Sequence, residues 1–171
     1  MFAVLGTGGH AKSVFDIIKN KKKIYFFSKS NRSFQISKKK FIVKKYNTLV
    51  ENYRGKISKI IIAIGDNKIR KNYFNQLKKY KFKFATLIHP KSYQAYGSKI
   101  GTGSVIMAGS LINTDSLIGE NCIINSNASI DHDCIIKEHT HICPGVIIAG
   151  NVKIGKNCWI GLGSKIIQNC V

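Results

Sequence analysis

Isoleucine recurs every six residues through the second half of the chain. Twelve successive positions, spaced by six from Ile100 to Ile166, are all isoleucine. The position two residues before each of them always carries Ser, Cys, Ala, Thr or Val. A period of six fits neither the helical period of about 3.6 nor the two-residue alternation of a half-buried strand. The repeat therefore predicts a solenoid, in which stacked coils bury one column of isoleucines.

Each six-residue unit is expected to form one side of a triangular coil, so that eighteen residues complete a turn. The isoleucine points to the axis and the small residue fits the inner corner. Glycines that follow the isoleucine would give the corners their backbone freedom, namely Gly101, Gly119, Gly155 and Gly161. This pattern is the hexapeptide repeat of the left-handed parallel β-helix. The sequence ends in mid-repeat at Val171, so we expect a β-helix over residues 91–171 that is truncated at its C-terminal end.

The first half alternates predicted strands and helices. Apolar strands are expected at MFAVLG, IYFFS and IIIAIG, helices at HAKSVFDIIKN and KIRKNYFNQLKKY, and a last strand at FKFATLIHP, closed by Pro90. Such alternation predicts a parallel α/β sheet, here a Rossmann-like domain of residues 1–90. Ligands of these sheets bind at the carboxyl ends of the strands, where the GTGG and GDN turns lie.

The first turn nearly matches two nucleotide-binding motifs. Gly6, Gly8 and Ala11 form the G-x-G-x-x-A pattern of dinucleotide-binding proteins, but Ser28-Lys29 replaces the ribose-binding acid, which disfavours NAD. GTGGHAKS also resembles a P-loop that lacks its second glycine, and no later strand ends in a convincing Mg²⁺-binding acid. Both motifs share backbone N–H groups at a helix N-terminus, which suit an anionic group. The alternative is a tight turn that only joins strand to helix.

Basic residues are concentrated in the first half. Residues 1–99 hold 24 of the 28 Lys and Arg and a net charge of +21, whereas residues 100–171 carry a net charge of −1. This excess is either a solvated lysine surface or an attraction for phosphate-bearing ligands. Few aromatic residues interleave the basic runs, which disfavours a nucleic-acid partner. No stretch approaches the roughly 18 apolar residues of a membrane span, and five cysteines without a C-x-x-C pair suit a reducing compartment, so we expect a cytoplasmic protein.

The segment SIDHDCIIKEHTHIC, residues 129–143, has the composition of a metal site. The six-residue register distributes its side chains over different sides of the triangle, with Cys134 in the small inward column, so we expect no metal. Metal-dependent hexapeptide proteins of the γ-carbonic anhydrase type use two histidines five residues apart, a spacing absent here.

Together the two halves resemble the sugar acetyltransferases that join a Rossmann-like domain to a left-handed β-helix. These are hexapeptide acyltransferases of the sialic acid O-acetyltransferase and UDP-4-amino-sugar N-acetyltransferase type. The matching segments are GTGGHAKS, AIGDNKIRK, FATLIHP and residues 125–161. The resemblance implies an acetyl-CoA-dependent enzyme that acetylates an amine or hydroxyl of a sugar or UDP-sugar in bacterial surface glycan biosynthesis. It also implies a homotrimer with clefts between neighbouring prisms.

The resemblance further implies roles for individual residues. His132 matches the general base and Asp133 the acid that orients its imidazole, while His141 and the backbone of Gly150 match contacts to acetyl-CoA. The nucleotide-sugar would be held by glycines and polar residues of both turns and by one asparagine of the β-helix: Gly8, Gly9, His10, Gly65, Asp66, Asn67 and Asn125. The period adds independent support, since His132 and Gly150 are one whole coil apart.

Direct attack of the sugar nucleophile on the thioester, with the Gly150 N–H meeting the oxyanion, is the expected mechanism. The alternative is a truncated, catalytically inactive sugar-nucleotide-binding protein. The sequence leaves open whether an amine or a hydroxyl is acetylated, and how long the acyl group is.

Overall fold

The computed structural model describes residues 1–20, 23–30 and 33–171, which form two compact units, residues 1–85 and 86–171. The first unit is an α/β sheet domain and the second is a parallel β-helix. No helix within the described ranges is long and apolar enough to cross a membrane. The boundary lies slightly before residue 90, because the first strand of the β-helix already begins at Leu87.

The first unit is built on four parallel strands in the order β5-β2-β1-β6, with β3 and β4 forming a separate antiparallel hairpin. Strand β1 is buried along its whole length, as expected of a central strand in a parallel sheet. The elements of this unit are β1 (Phe2–Leu5), α1 (Gly9–Ile18), β2 (Ile24–Ser28), β3 (Phe34–Ile36), β4 (Lys39–Phe41), β5 (Val43–Lys45), α2 (Tyr46–Asn52), β6 (Lys59–Ile62) and α3 (Asn67–Lys79).

The predicted α/β alternation is confirmed for β1, α1, β2, β6 and α3, but the last predicted strand is wrong. Phe84 makes only one parallel bridge, to Ile60, and the following Leu87–Ile88 pairs with Val105–Ile106 of the β-helix. FKFATLIHP therefore contains the end of the first unit and the start of the second. Its residues Leu87 and Ile88 belong to the first hexapeptide repeat, two repeats before the isoleucine column that begins at Ile100. Strands β3 to β5 and helix α2 were not predicted.

The second unit is a triangular prism whose sides are three parallel sheets. We call β7-β10-β13-β16-β19 face 1, β8-β11-β14-β17-β20 face 2 and β9-β12-β15-β18 face 3. Strands eighteen residues apart are neighbours, as in the pairing of Ile124 with Ile142. The two-residue strands are β7 (Leu87–Ile88), β8 (Tyr93–Gln94), β9 (Lys99–Ile100), β10 (Val105–Ile106), β11 (Leu111–Ile112), β12 (Leu117–Ile118), β13 (Ile123–Ile124), β14 (Ser129–Ile130), β15 (Ile135–Ile136), β16 (His141–Ile142), β17 (Ile147–Ile148), β18 (Lys153–Ile154), β19 (Trp159–Ile160) and β20 (Lys165–Ile166).

The isoleucine column fills the axis of the prism, as the period predicts. Ile112, Ile124, Ile130 and Ile142 are fully buried, and the small column beside them includes the fully buried Cys134. Cys134 is thus a packing residue, and burial raises the pKa of its thiol. The predicted fold, a Rossmann-like domain followed by a left-handed parallel β-helix, is confirmed.

The glycines that follow the isoleucines do not turn the corners, so that part of the prediction is wrong. A Cβ atom on Gly119 would lie 2.6 Å from the backbone nitrogen of Glu138, so this glycine is needed because adjacent coils approach closely. Gly101 meets the backbone of Gly119 in the same way. The corners turn instead at a position with positive φ that recurs every six residues, occupied by Gly97, Gly103, Gly109, Asp115, Asn121, Asn127, Asp133, His139, Gly145, Asn151, Asn157, Gly163 and Asn169.

Candidate active site

His132 and Asp133 form a hydrogen-bonded pair on the edge between faces 2 and 3. Nδ1 of His132 lies 2.7 Å from Oδ2 of Asp133, and both side chains are more than half exposed. The Asp133 carboxylate can only accept a hydrogen bond, so Nδ1 of the neutral imidazole must carry the proton. Nε2 then carries the lone pair. The pair therefore presents a proton acceptor to a molecule that binds outside this edge.

The corner geometry itself places the carboxylate. Asp133 has φ of 59°, in the left-handed region that short polar side chains tolerate better than others. Its backbone N–H donates to the carbonyl of Thr114 on the preceding coil, at 3.1 Å. The backbone conformation alone favours Asp, Asn or Gly at this corner. The aspartate that pairs with His132 is therefore one of the few residue types that the fold accepts at position 133.

Hydrogen bonds to the preceding coil fix the rest of the turn. The Ser116 hydroxyl donates to the carbonyl of Asp131 at 2.5 Å and accepts from the backbone N–H of Cys134 at 3.0 Å. The Asp131 carboxylate accepts from Asn113 Nδ2 and from the His132 N–H, each at 2.8 Å. The backbone on both sides of His132 is thus held, which limits the motion of the imidazole to its own side-chain torsions.

Two carboxylates raise the pKa of His132. The hydrogen bond to Asp133 is the larger cause, and the charge of Asp131 adds to it. The pKa of Asp131 itself is lowered, first by the hydrogen bond from the His132 backbone N–H and then by that from Asn113. The imidazole is therefore a stronger base than a free histidine.

Gly150 lies against the imidazole of His132 from the next coil. A Cβ atom on Gly150 would stand 2.7 Å from both Cε1 and Nε2 of His132, closer than side chains pack. The N–H of Gly150 has no hydrogen-bond partner within the described parts of the chain. The one-coil spacing thus brings these two residues together, and a side chain at position 150 would force the imidazole out of its present position.

His141 and Asn125 form a second pair at a different place. Asn125 Nδ2 donates to His141 Nε2 at 3.0 Å, and the imidazole, which is buried, packs edge-on against Trp159 with ring centroids 4.5 Å apart. His141 belongs to face 1 and Asn125 to the turn between faces 1 and 2. Face 2 therefore separates this pair from His132 within one chain.

In the first unit, both predicted turns lie at the carboxyl ends of β1 and β6. A Cβ atom on Gly8, Gly9 or Gly65 would meet nothing within 4 Å, so packing within the chain does not explain these glycines. Gly6 differs, because its φ is +124° and a Cβ there would lie 2.5 Å from the Ala63 carbonyl oxygen. His10 lies in the first turn of α1, and Asp66 caps α3 by accepting from the Ile69 N–H at 2.8 Å.

A cavity of about 720 Å³ opens at the same sheet edge. Its walls include residues that no sequence motif identifies, namely Thr7, Tyr46, Asn47, Asn72, Tyr73 and Gln76. Ser28 and Lys29, which follow the predicted second strand, also line it. Tyr46 donates to Gln76 Oε1 at 3.1 Å. Burial raises the pKa of Tyr46 and of Tyr73. One wall of the cavity could have been predicted from the sequence. Residues three and four apart share one face of a helix, and this spacing relates Ile69, Asn72, Tyr73 and Gln76 in α3.

Within the described residues, no group of three or more His, Cys, Asp or Glu side chains could hold a metal ion. The five cysteines are free thiols.

Comparison with known proteins places both units. Residues 2–77 match the PglD N-terminal domain family, and residues 115–150 match the bacterial transferase hexapeptide (six repeats) family. The acetyltransferase domain of PglB from Neisseria gonorrhoeae FA1090 is 32% identical, with 98% of this chain and 82% of that chain covered and a TM-score of 0.87. That domain is also known in complex with acetyl coenzyme A, with a TM-score of 0.88.

Two further similarities concern the fold. A variant of perosamine N-acetyltransferase from Caulobacter crescentus, in complex with CoA and GDP-perosamine, is 24% identical over 99% of this chain and 89% of that chain, with a TM-score of 0.85. WeeI from Acinetobacter baumannii AYE is 17% identical over 100% of this chain and 92% of that chain, with a TM-score of 0.76.

The family predicted from the motifs is therefore confirmed by two family models and by a 32% identical relative that is matched over most of its length. From its α/β unit, its hexapeptide prism and this relationship, we conclude that the chain is an acyltransferase and belongs to the sugar acetyltransferases that join a PglD-type N-terminal domain to a left-handed β-helix.

Proposed function

We propose that this protein transfers the acetyl group of acetyl-CoA to an amine or hydroxyl of a nucleotide-linked sugar, in the biosynthesis of bacterial surface glycans. The observation that carries the proposal is the exposed His132–Asp133 pair, held 2.7 Å apart on a prism edge with Gly150 against the imidazole. Similarity to the PglB domain, which binds acetyl coenzyme A, supports the donor. The perosamine enzyme, bound to GDP-perosamine, supports a nucleotide-linked acceptor.

His132 serves as the general base in this proposal. The sugar nitrogen or oxygen attacks the thioester carbonyl carbon, and its proton passes to Nε2 of His132 while the new C–N or C–O bond forms. Asp133 holds the Nδ1–H tautomer and stabilises the imidazolium that results. The C–S bond then breaks, and the proton passes from the imidazolium to the coenzyme A thiolate. No acyl-enzyme is required.

Gly150 is proposed to stabilise the oxyanion of the tetrahedral intermediate. Its N–H is unpaired in the described chain and belongs to the residue that contacts the imidazole. A main-chain donor that is fixed before the reaction costs no reorganisation when charge develops on the oxygen. The coenzyme thioester would therefore lie along this edge.

The nucleotide part of the acceptor is assigned to the first unit. Gly8, Gly9, His10, Gly65, Asp66 and Asn67 would line its phosphates, and the cavity beside them has the size of a small-molecule site. Lys29 at the end of β2 replaces an acid, so we propose that ribose hydroxyls are not bound by a carboxylate there. The basic first half would attract the anionic substrate.

We also propose that the active unit is a homotrimer. The His132–Asp133 pair and the His141–Asn125 pair lie on different edges of one prism, so a coenzyme contact by His141 alongside His132 would need a neighbouring copy. Exposed apolar side chains on the prism, such as Ile147 and Leu162, would pack in such an assembly. Light scattering would give the mass of three chains, and a monomeric mass with full activity would contradict this arrangement.

An acetyl-CoA assay against a panel of acceptors tests the proposed reaction. The panel contains UDP- and GDP-linked 4-amino sugars and free sialic acids, and coenzyme A release is followed with a thiol reagent. Hydroxylamine treatment of the product separates an O-acetyl ester, which is cleaved, from an N-acetyl amide, which is not. Binding of nucleotide-sugars without coenzyme A release would favour the inactive binding protein instead.

A further inference from the structure

Arg70 is the largest fully buried side chain among the described residues, with an exposed fraction of 1%. A guanidinium keeps its charge under all ordinary conditions, and an unpaired buried charge is very costly. Its hydrogen-bond acceptors therefore have to be built into the fold around it. Nothing in the proposed reaction so far uses this residue.

Three acceptors of the Arg70 guanidinium lie where β6 leads into α3. Nη1 donates to the carbonyl oxygens of Ile64 and Gly65, at 3.2 and 2.8 Å, and Nη2 donates to Oδ1 of Asn67 at 2.7 Å. The backbone N–H of Arg70 adds a bond to the carbonyl of Asp66 at 2.9 Å. Arg70 thus binds Ile64, Gly65 and Asp66 of the turn and Asn67, the first residue of α3.

These bonds determine which way the turn's N–H groups point. In a trans peptide the carbonyl and the N–H point in opposite directions, and no cis peptide occurs in the described chain. Because Arg70 binds the carbonyls of Ile64 and Gly65, the N–H groups of Gly65 and Asp66 point away from the buried guanidinium. Neither N–H has a hydrogen-bond partner in the parts of the chain that the structure describes.

The turn is also open on the side that a ligand would approach. Asp66 is exposed, and a Cβ atom on Gly65 would meet nothing within 4 Å. The Asp66 carboxylate is engaged with the Ile69 N–H, and Ile64 and Ile69 line the cavity at this sheet edge. Successive main-chain N–H groups that face outward at a helix start bind anions such as phosphate.

We propose that Arg70 is a positioning residue, which fixes the turn so that the Gly65 and Asp66 N–H groups bind the diphosphate of the nucleotide-linked acceptor. This inference rests on the proposed function. Arg70 does not touch the substrate, since it is buried behind the turn. Its effect should fall on the phosphates and spare both the nucleoside and the donor.

The test compares Arg70→Met, which keeps much of the side-chain volume, with Arg70→Lys. Binding is measured by titration calorimetry with UDP and GDP, and with uridine and guanosine, which lack phosphate. In Arg70→Met we expect diphosphate binding to weaken at least about tenfold, with nucleoside and acetyl-CoA binding changed less than about twofold. Arg70→Lys should recover part of the loss. Lys71→Met, which removes a charge from the next position of the same helix, is the matched control and should bind like the wild type.

Parallel loss of nucleoside and nucleotide binding would indicate a collapsed pocket and overturn the proposal, as would unchanged diphosphate binding. If Arg70→Met does not fold, amide hydrogen exchange in wild type and Arg70→Lys provides the second measurement. Inorganic pyrophosphate should protect the Gly65 and Asp66 amides in the wild type and protect them less in Arg70→Lys.

The hydrogen-exchange measurement also distinguishes failure of the proposed acceptor from failure of the role assigned to Arg70. A wild type that binds pyrophosphate at these amides but binds neither UDP nor GDP would contradict the nucleotide-linked acceptor and leave the role of Arg70 standing. A wild type in which pyrophosphate leaves both amides unprotected would overturn the inference itself.

Discussion

The imidazole of His132 lies over the α-carbon of Gly150, so close that a methyl group on Gly150 would stand 2.7 Å from two of its ring atoms. The two residues are one coil apart in sequence and share an edge of the prism. The contact limits how closely the ring can approach the next coil, and the Gly150 N–H has no hydrogen-bond partner among the described residues. The pitch of the solenoid thereby places the imidazole of His132 next to Gly150, the residue proposed to bind the oxyanion.

Replacing His132 should remove most of the activity and leave the fold and donor binding intact. We expect His132→Asn to lower kcat/KM by about 10²- to 10⁴-fold, the usual contribution of a general base. The measurements are coenzyme A release and calorimetric binding of acetyl-CoA. His139→Asn is the matched control, because asparagine already occupies the equivalent corner one coil below and one coil above, at Asn121 and Asn157. Wild-type turnover in His132→Asn would refute the assigned base.

The pH profile should report the carboxylate beside the imidazole. Asp133 and Asp131 raise the pKa of His132, so the ring remains protonated, and unable to accept a proton, to a higher pH than a free histidine. The acidic limb of kcat/KM should therefore lie above the ordinary histidine value. In Asp133→Asn the limb should move to lower pH, with a lower plateau because the imidazolium is less stabilised.

Asp115→Asn is the control for this pH experiment. Asp115 has the same backbone conformation on the preceding coil, with φ of 58°, but no histidine precedes it. Its profile should match that of the wild type. An unchanged limb in Asp133→Asn would show that the carboxylate does not set the titration of the base.

A methyl group at Gly150 should disable the site by displacing the imidazole. The φ of Gly150 is not positive, so Gly150→Ala should fold, but its Cβ takes the space of the His132 ring. We expect a fall in kcat of about 10²-fold, the order of loss that a 1 Å misplacement causes. Gly155→Ala is the control, since a Cβ there meets only Cys158 Sγ at 3.5 Å, an ordinary contact. Equal activities in the two variants would show that the close packing is irrelevant to turnover.

The isoleucine column should dominate the stability of the prism. Ile130 is fully buried, whereas Ile167 is 71% exposed. Ile130→Ala should lower the free energy of unfolding by about 2 to 5 kcal/mol, and Ile167→Ala should cost far less. Urea unfolding followed by circular dichroism measures both values. Similar midpoints in the two variants would contradict the assignment of the axis.

The sequence predicts the β-helix better than the α/β unit, for a physical reason. Every coil buries isoleucine at the same positions, so the pattern is repeated many times in the sequence. The register of Ile124 or Ile142 then follows by counting in steps of six. The first unit has no such repetition. Short edge elements such as β3 to β5 depend on tertiary contacts, and the apolar pair Leu87–Ile88 reads equally well as the end of a sheet strand.

The site was predictable where the period or a motif placed its residues. Counting by eighteen brings Gly150 to His132, and the sequence neighbours His132 and Asp133 share one turn. Arg70 could not be identified in this way, because its importance depends on carbonyl groups of the turn, which have no signature in a sequence. The burial of His141 against Trp159 likewise depends on the packing of two side chains on neighbouring strands of face 1, which the sequence pattern does not show.

The corner position with positive φ has an evolutionary consequence. It restricts Gly97, Asp115, Asp133, Asn151 and Asn169 to the few residue types that adopt this backbone, and aspartate is one of them. A non-catalytic coil that carries aspartate there needs only a histidine at the preceding exposed position, beneath a glycine, to acquire a paired imidazole. The corner backbone and the proposed chemistry accept the same residue at position 133, so a single substitution to histidine before such an aspartate can create the pair without changing the backbone of the corner.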